Sequence, residues 1–140
     1  YIVTGGAGFI GANLVHALNQ RGISDILVSD HLQRADKFRN LADLDIRDYF
    51  EAEAFLPELL AGRLGKIDAI FHQGACSDTM ASDGRYVMDN NYAHSKALFH
   101  WCQENRVPFL YASSASVYGM TGRFCEERAA EDPLNVYAFS

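Results

Sequence analysis

The first eleven residues place a glycine-rich turn between an apolar run and a helical pattern. Residues 1–4 are typical of a short strand, and Gly5, Gly8 and Gly11 follow at intervals of three. Apolar residues then recur at helical spacing, at Ile10, Leu14, Ala17 and Leu18. In such a turn Gly5 lets the chain reverse, Gly8 lets bare backbone approach a ligand, and Gly11 lets the helix pack closely. The unpaired N–H groups and the positive end of the helix dipole would then bind an anion.

An acidic residue ends the second apolar run, about twenty residues beyond the turn. Asp30 follows the sequence Ile26-Leu27-Val28-Ser29. At this position of a dinucleotide-binding fold, a carboxylate accepts hydrogen bonds from the adenosine ribose. Three glycines alone are a weak signal, because many turns between a strand and a helix carry glycine for steric reasons. Together with Asp30 they predict a half-site for a nicotinamide dinucleotide.

Strands and helices alternate along the rest of the chain. Short apolar runs predict strands at residues 1–4, 26–29, 41–46, 68–72 and 107–113. Helical spacing predicts helices from the glycine turn to residue 21, over 49–60 and 85–105, and from about residue 135. Alternation of this kind is typical of parallel, right-handed βαβ units. We therefore expect an α/β chain with a Rossmann-type doubly wound parallel sheet, in which residues 1–140 form one dinucleotide-binding domain.

Composition narrows the class of protein. The chain has 140 residues, of which 49% are apolar, and a formal net charge of -6. No apolar run approaches the roughly 18–20 residues that span a bilayer, and the negative charge disfavours nucleic acid or an anionic membrane as partner. Cys76, Cys102 and Cys125 form no Cys-x-x-Cys pair, which argues against a structural metal. We expect a cytoplasmic protein with reduced thiols.

Ligands of a doubly wound sheet bind beyond the carboxyl ends of its strands. Mostly polar or small residues lie at or directly after the end of each predicted strand after the first. They are Asp30, His31 and Lys37; then Asp45 and Ile46; then His72, Gln73, Gly74, Ala75, Cys76 and Ser77; then Ser113, Ser114 and Ser116. Each has a purely structural alternative, such as a solvated lysine, a hydrogen-bonded histidine at a strand end or a serine-rich turn. Their common position at one edge favours a ligand site.

Several stretches are more specific than the turn. Three of them are Thr4-Gly5-Gly6-Ala7-Gly8-Phe9-Ile10-Gly11, Tyr111-Ala112-Ser113-Ser114-Ala115-Ser116-Val117-Tyr118-Gly119 and Tyr137-Ala138-Phe139-Ser140. Together they resemble the extended short-chain dehydrogenase/reductase family in its nucleotide-sugar epimerase branch. Residues 72–77, 88–92 and 108–114 are in addition similar to the ADP-heptose 6-epimerases of that branch. The resemblance covers the whole chain, and it implies a substrate-binding part beyond these residues.

The resemblance implies a redox epimerisation. An enzyme of this kind oxidises a carbinol carbon transiently with a nicotinamide cofactor and then returns hydride to the other face. The base can be a tyrosine, whose pKa of about 10 falls beside an ammonium group. By resemblance Tyr137 is the acid/base and Ser114 its partner, and the lysine of the family falls directly after Ser140. The implied reaction inverts C6'' of ADP-D-glycero-D-manno-heptose for lipopolysaccharide core synthesis.

We predict the cofactor contacts from the glycine turn, from the residues at the strand ends and from the family resemblance. The expected set is Gly5, Gly8, Phe9, Ile10, Gly11, Asp30, His31, Lys37, Asp45, Ile46, Gln73, Gly74, Ala75, Cys76, Ser77 and Asn90. Asp30 favours NAD because its carboxylate repels a 2'-phosphate, whereas Lys37 offsets that repulsion. The resemblance favours NADP, which is our expectation, with NAD as the alternative. The family often has Asn at His31 and Lys at Ala52.

Alternatives remain within and outside the enzyme class. The pair Tyr92 and Lys96 also has the Tyr-x-x-x-Lys spacing, but it precedes the serine-bearing strand, so we expect surface or packing roles. Ala115 and Ser116 stand where related dehydratases have Asp-Glu, which disfavours dehydration. A UDP-hexose 4-epimerase and a non-catalytic dinucleotide-binding regulator are the other candidates. The resemblance also implies a homo-oligomer, a pentamer in the heptose enzymes.

Overall fold

The structure is a computed structural model that describes all 140 residues. A parallel five-stranded sheet forms the framework of the protein. The strands are β1 (Ile2–Thr4), β2 (Leu27–Asp30), β3 (Asp48–Glu51), β4 (Ile70–His72) and β5 (Phe109–Tyr111). The α-helices are α1 (Phe9–Asn19), α2 (Ala52–Leu60), α3 (Gly84–Val87), α4 (His94–Asn105) and α5 (Val136–Phe139). The strand order β3-β2-β1-β4-β5 is that of a Rossmann-type doubly wound sheet, which confirms the predicted fold class.

All four strand pairings are parallel, so the carboxyl ends of the strands share one edge of the sheet. The central strand β1 pairs Ile2 with Leu27 on one side and with Ile70 on the other. Each of its three residues is buried, as expected for a strand that is covered on both faces. The glycine turn leaves the carboxyl end of this central strand.

The side chains of β1 alternate between two apolar clusters, one on each face of the sheet. Ile2 belongs to a cluster with Phe55 of α2 and Leu98 of α4. Val3 belongs to a second cluster, in which Val15 of α1 packs. Helices thus cover both faces of the sheet, and the glycine turn that begins α1 is held against a fully buried framework.

The chain divides into two compact units. The sheet unit comprises Tyr1–Gly74 and Ala97–Tyr111, and the second unit comprises Ala75–Lys96 and Ala112–Ser140. In the second unit, the Asn135 side chain caps α5 by accepting a hydrogen bond from Ala138 N–H at 2.8 Å. The same helix packs against α3 and against a 3₁₀ helix at Ala115–Tyr118.

The third strand was predicted at the wrong place. Residues 41–46 form a turn followed by irregular chain, and β3 lies at Asp48–Glu51, where the sequence predicted the start of a helix. The apolar residues of the predicted strand, such as Leu41 and Leu44, still pack against the Val3 cluster, so their hydrophobic pattern reflects burial without strand pairing. Being short and having charged ends, β3 carries little strand signal.

The other predicted strands and helices are confirmed, with shifts at their ends. The long helix predicted over 85–105 is continuous from Gly84 to Asn105 and contains a π-helical segment at Met88–Ala93, which the sequence did not predict. Two further 3₁₀ helices, Ala35–Asn40 and Arg128–Ala130, lie in connections that were expected to be irregular. None of the helices has the length and apolar character needed to cross a membrane.

Candidate functional site

The glycine turn has the geometry that its spacing predicts. Gly5 has φ +65°, a left-handed conformation that glycine adopts without strain, and its N–H donates to Ser29 O at 2.7 Å. A Cβ at Gly5 would lie 2.7 Å from the backbone carbon of Gln73. A Cβ at Gly11 would overlap the carbonyl oxygen of Gly5. The turn therefore packs against β4's continuation on one side and against α1 on the other.

The first turn of α1 is open to a ligand. Gly8 is the N-cap residue in an extended conformation, no side chain caps the helix, and its first turn holds no acidic residue. The next two side chains, Phe9 and Ile10, are 84% and 58% exposed. Unpaired backbone N–H groups at a helix start, beside a turn without side chains, fit the pyrophosphate of a dinucleotide.

Asp30 is bonded to the turn through its own side chain. The buried carboxylate accepts from Ala7 N–H at 2.8 Å through Oδ2 and from His31 N–H at 2.6 Å through Oδ1. Its Oδ1 also forms an ion pair with the Lys37 ammonium, which donates in addition to His31 O at 3.0 Å. Asp30 thus fixes the turn, and Lys37 neutralises this carboxylate, which was predicted to contact an adenosine ribose.

Tyr49 on β3 supports the end of β2. Its hydroxyl lies 2.8 Å from Asp30 O and 3.0 Å from Glu51 Oε1. Burial, followed by the hydrogen bond to the Glu51 carboxylate, raises the pKa of Tyr49. The phenol therefore stays protonated at neutral pH and can donate to either acceptor. The sequence had assigned Tyr49 to a helix and so missed this contact.

The end of β4 is bonded to the end of β1. Thr4 Oγ1 lies 2.6 Å from His72 Nδ1 and accepts from Gly74 N–H at 3.1 Å. Gln73 N–H donates to Thr4 O at 3.1 Å. Gln73 and Gly74, two of the predicted cofactor contacts, thus lie beside Gly5. His72 is buried and hydrogen-bonded, which matches its structural alternative.

A basic pocket lies beside the turn, with a volume of about 390 Å³. It is lined by the turn residues Ala7, Gly8 and Phe9 and by Arg34, Asp36, Lys37, Arg39 and Asn40. Asn40 joins the two walls, because its Nδ2 donates to Ala7 O at 2.8 Å. Lys37 is the only polar residue of this lining that the sequence analysis had selected. The other basic residues could have been noticed because they cluster around Lys37 in a chain whose net charge is -6.

Two predicted cofactor contacts lie at the opposite edge of the sheet. Asp45 and Ile46 precede β3, so they stand at its amino end and not after its carboxyl end. Asp45 exchanges hydrogen bonds with the Asn19 side chain, at 2.8 and 2.9 Å. Asn19 is the last residue of α1, whose first turn carries the glycines. The prediction was wrong in this respect because it rested on the misplaced third strand.

Three potential metal ligands lie at or just beyond the carboxyl ends of β2 and β3. His31, Glu51 and Glu53 bring one ligand atom each within 4.8 Å of one another, and His31 Nδ1 lies 3.5 Å from Glu53 Oε1. Both glutamates are exposed. Exposed carboxylates commonly group in this way without an ion, so we assign these residues no metal role.

In the second unit, Asn91 holds the loop that follows β4. Its Oδ1 accepts from Cys76 N–H at 2.8 Å, and its Nδ2 donates to Cys76 O at 3.1 Å and to Ser140 Oγ at 2.9 Å. Asn91 is buried within the π-helical segment, and the predicted contact Asn90 is half-buried beside it. Ala75 and Ser77, on either side of Cys76, are exposed. The sequence analysis selected Asn90 and missed Asn91.

The predicted catalytic residues also lie in the second unit. Ser114 is half-buried, and its Oγ accepts from Ser116 N–H at 3.2 Å as the cap of the 3₁₀ helix at Ala115–Tyr118. Tyr137 is half-buried on α5, which packs against that 3₁₀ helix, and its hydroxyl makes no hydrogen bond within the protein. Both hydroxyls can therefore still bind a substrate oxygen.

Tyr92 and Lys96 do not form an alternative catalytic pair. Both side chains are exposed, and the Lys96 ammonium lies 5.5 Å from the centre of the Tyr92 ring. This is a cation–π contact on the surface of a helix. It agrees with the surface role expected from the order of the sequence elements.

Comparison with known proteins gives the family. The model of the NAD dependent epimerase/dehydratase family matches residues 1–140. The ADP-L-glycero-D-manno-heptose-6-epimerase of Helicobacter pylori is 31% identical, with a TM-score of 0.83 over 99% of this chain and 46% of its own. The UDP-glucuronic acid 4-epimerase of Bacillus cereus in complex with NAD is 27% identical, with a TM-score of 0.78 over 99% of this chain and 47% of its own.

A third similar solved structure is a 4-epimerase that is named for UDP-glucose. The UDP-glucose 4-epimerase of Brucella ovis in complex with NAD is 25% identical, with a TM-score of 0.72 over 99% of this chain and 43% of its own. This chain therefore spans less than half the length of each of these enzymes. The match of the family model to every residue, on a Rossmann-type sheet with an open glycine turn, shows that the chain belongs to the NAD-dependent epimerase/dehydratase family.

Proposed function

We propose that the chain is the dinucleotide-binding part of an ADP-heptose 6-epimerase. The reaction would invert C6'' of ADP-D-glycero-D-manno-heptose for lipopolysaccharide core synthesis. The observation that carries the proposal is that one chain combines an open phosphate-binding turn with two hydroxyls, of Ser114 and Tyr137, that remain available to a substrate. The similarity to the Helicobacter pylori heptose epimerase supports this choice of nucleotide sugar.

In the proposed reaction, different residues of the chain would bind the cofactor and transfer the proton. The turn at Gly5–Gly11 would hold the pyrophosphate, and Gln73 and Gly74 would line the cofactor beside it. A bound nicotinamide dinucleotide would supply the hydride acceptor and later the hydride donor. Tyr137 would take the proton from the C6'' hydroxyl and later return a proton to the carbonyl oxygen.

Ser114 would orient the substrate oxygen toward Tyr137. As the cap of a short 3₁₀ helix it has a fixed backbone, and its Oγ can still donate one hydrogen bond. Because the carbon changes configuration, the planar carbonyl intermediate must present its other face before reduction. The proposal also requires groups that bind the heptose and the ADP moiety of the substrate.

NADP is the proposed cofactor. The Asp30 carboxylate would repel a 2'-phosphate, but Lys37 pairs with it and Arg34 and Arg39 line the adjacent pocket. NAD is the competing choice, because Asp30 suits a ribose diol and the two 4-epimerases compared above were crystallised with NAD. With NAD, a UDP-hexose 4-epimerase would be the second candidate function. A homo-oligomer remains part of the proposal by family resemblance.

The test follows the stereochemistry of the nucleotide sugar. The natural polypeptide that carries these residues is purified, its bound cofactor is released and identified by mass, and ADP-D-glycero-D-manno-heptose is monitored by NMR. We expect inversion at C6'' with NADP released, and a loss of roughly 10²–10⁴-fold in turnover for Tyr137→Phe with the cofactor retained. Tyr92→Phe, the matched control on an exposed tyrosine, should retain full turnover.

Two outcomes would contradict the proposal in different ways. Turnover of a UDP-hexose with NAD, and none of the ADP-heptose, would keep the mechanism and replace the substrate. Equal turnover in wild type and Tyr137→Phe would remove the assigned acid/base. Cofactor binding without turnover of any nucleotide sugar would favour a regulator.

A further inference from the structure

Arg39 is an unpartnered cation in the pocket beside the glycine turn. We propose that Arg39 is a specificity-determining residue that binds the 2'-phosphate of the cofactor's adenosine ribose. The inference rests on the proposed use of NADP and assigns a residue to that choice. It concerns the sheet unit alone, since every residue that lines the pocket belongs to that unit.

The three cations of the pocket differ in how they are used. Lys37 is already paired with Asp30 and donates to His31 O, so its charge is largely offset within the protein. Arg34 pairs with Asp36, with Nη2 3.0 Å from Oδ2. Arg39 makes no hydrogen bond or ion pair in the protein and keeps its full donor capacity.

A 2'-phosphate at this place would need a second cation. The group carries close to two negative charges at neutral pH. Lys37 offsets the Asp30 carboxylate, so Lys37 alone leaves no surplus positive charge for the phosphate. A planar guanidinium can donate two parallel hydrogen bonds to phosphate oxygens, which an ammonium cannot. Arg39 supplies both the missing charge and this geometry.

The backbone next to Arg39 is anchored to the turn. Asn40 Nδ2 donates to Ala7 O at 2.8 Å, and Leu41 N–H donates to Phe38 O at 2.9 Å to end the 3₁₀ helix Ala35–Asn40. Arg39 is therefore attached to a segment whose position is fixed relative to the pyrophosphate site. Only its side chain has to reorder when the phosphate binds, which keeps the entropic cost to one side chain.

The experiment separates the phosphate from the rest of the cofactor. Dissociation constants of NADP, NAD, adenosine 2',5'-bisphosphate and AMP are measured by calorimetry for wild type, Arg39→Ala and Arg39→Lys. We expect Arg39→Ala to weaken the two 2'-phosphorylated ligands by about 10- to 100-fold, the range for a hydrogen bond to a charged group. NAD and AMP should change less than about twofold. Arg39→Lys should recover part of the loss.

Arg21→Ala is the matched control, because it removes the same charge beyond the far end of α1, where Arg21 donates to Ala17 O at 2.9 Å. It should leave all four dissociation constants unchanged. Equal losses for NADP and NAD, or no loss, in Arg39→Ala would overturn the inference and leave the proposed function intact. A wild-type protein that binds NAD as tightly as NADP would overturn both the inference and the proposed cofactor.

Discussion

The glycine turn of the sheet unit and the Cys76 loop of the second unit are both fixed by side chains, but by different numbers of them. Around the turn, the bonds come from several independent residues, Asp30, Thr4 and Asn40 among them. At the Cys76 loop, both hydrogen bonds go to the single side chain of Asn91, which donates a third bond to Ser140 Oγ. The first network is distributed, and the second depends on one residue.

This difference follows from what surrounds each region. The turn leaves the buried central strand, and main-chain pairing on both sides of β1 already fixes where the turn begins. The Cys76 loop lies outside the sheet, so it has no ladder of its own and relies on one polar side chain. We therefore expect the turn to resist the loss of a single polar group and to fail when its volume changes. The loop should show the opposite behaviour.

Gly11→Ala should have the largest effect on stability. A Cβ at this position would overlap Gly5 O and lie 2.7 Å from Gly6 Cα, and neither backbone atom can rotate away. We expect a loss near the upper end of the range for overpacking, about 3 kcal/mol, together with loss of cofactor binding. Chemical denaturation and cofactor titration measure the two effects.

Gly84→Ala is the matched control for this prediction. There the added Cβ would lie 3.6 Å from Val136 Cγ2, an ordinary contact, at the first residue of a helix. It should be tolerated or slightly stabilising. If Gly11→Ala proves as stable as Gly84→Ala, the turn is less rigid than its geometry indicates, and the contrast between the two regions is lost.

Asn91→Ala should have the next largest effect. It removes all three hydrogen bonds at once and leaves Cys76 N–H without its acceptor, at a cost of about 2–3 kcal/mol. Hydrogen exchange at the Cys76 amide should accelerate more than exchange at Gly74, whose N–H donates to Thr4 in the other network. Chemical denaturation and exchange measured by NMR test the prediction.

Asn91→Asp separates the parts of the Asn91 network. The carboxylate keeps an acceptor for Cys76 N–H and loses both donated bonds, one of which goes to Cys76 O. We expect it to protect the Cys76 amide better than Asn91→Ala. Equal exchange rates in wild type and both variants would show that other contacts hold the loop.

The fold was predictable because its strongest signals are local. The apolar run before Gly5 and the acid after the second run fix β1, the turn and β2, and those elements carry six of the sixteen predicted cofactor contacts. The third strand was not predictable, since Asp48–Glu51 has two charged ends and half-buried aromatic residues between them. Its misplacement carried Asp45 and Ile46 to the wrong edge.

Other parts of the site depend on tertiary contacts. The π-helical segment gives no compositional signal, so the adjacent asparagines at 90 and 91 could not be told apart by spacing. Arg39 lies in a polar connection, and its position in a pocket follows only once Asn40 bonds to Ala7. Ser114 and Tyr137 came from family resemblance, and their roles stay predictions.

The smallest expected effect concerns the chemical reactivity of two cysteines, Cys102 in the sheet unit and Cys76 in the second unit. Cys102 is buried in the core on one face of the sheet, and burial raises the pKa of its thiol to about 11. Cys76 lies half-buried in the loop of the second unit. At pH 8 we expect iodoacetamide to modify Cys76 and to spare Cys102, because the thiolate is the reactive form. Mass spectrometry of peptides taken over time measures both rates.

The burial of Cys102 should also make the stability of the protein depend on pH. The pKa of the Cys102 thiol is about 11 in the folded state, above the ordinary thiol value of 9.0. Between about pH 9 and pH 11 the thiol therefore stays protonated in the folded state and loses its proton in the unfolded state. Its contribution to stability is fully present below about pH 9 and is lost as the pH rises through about 11. Cys102→Ala should therefore show a shallower decline of stability over that interval than wild type. Parallel declines in wild type and Cys102→Ala would mean that the thiol titrates alike in both states, and that core burial does not distinguish the two cysteines.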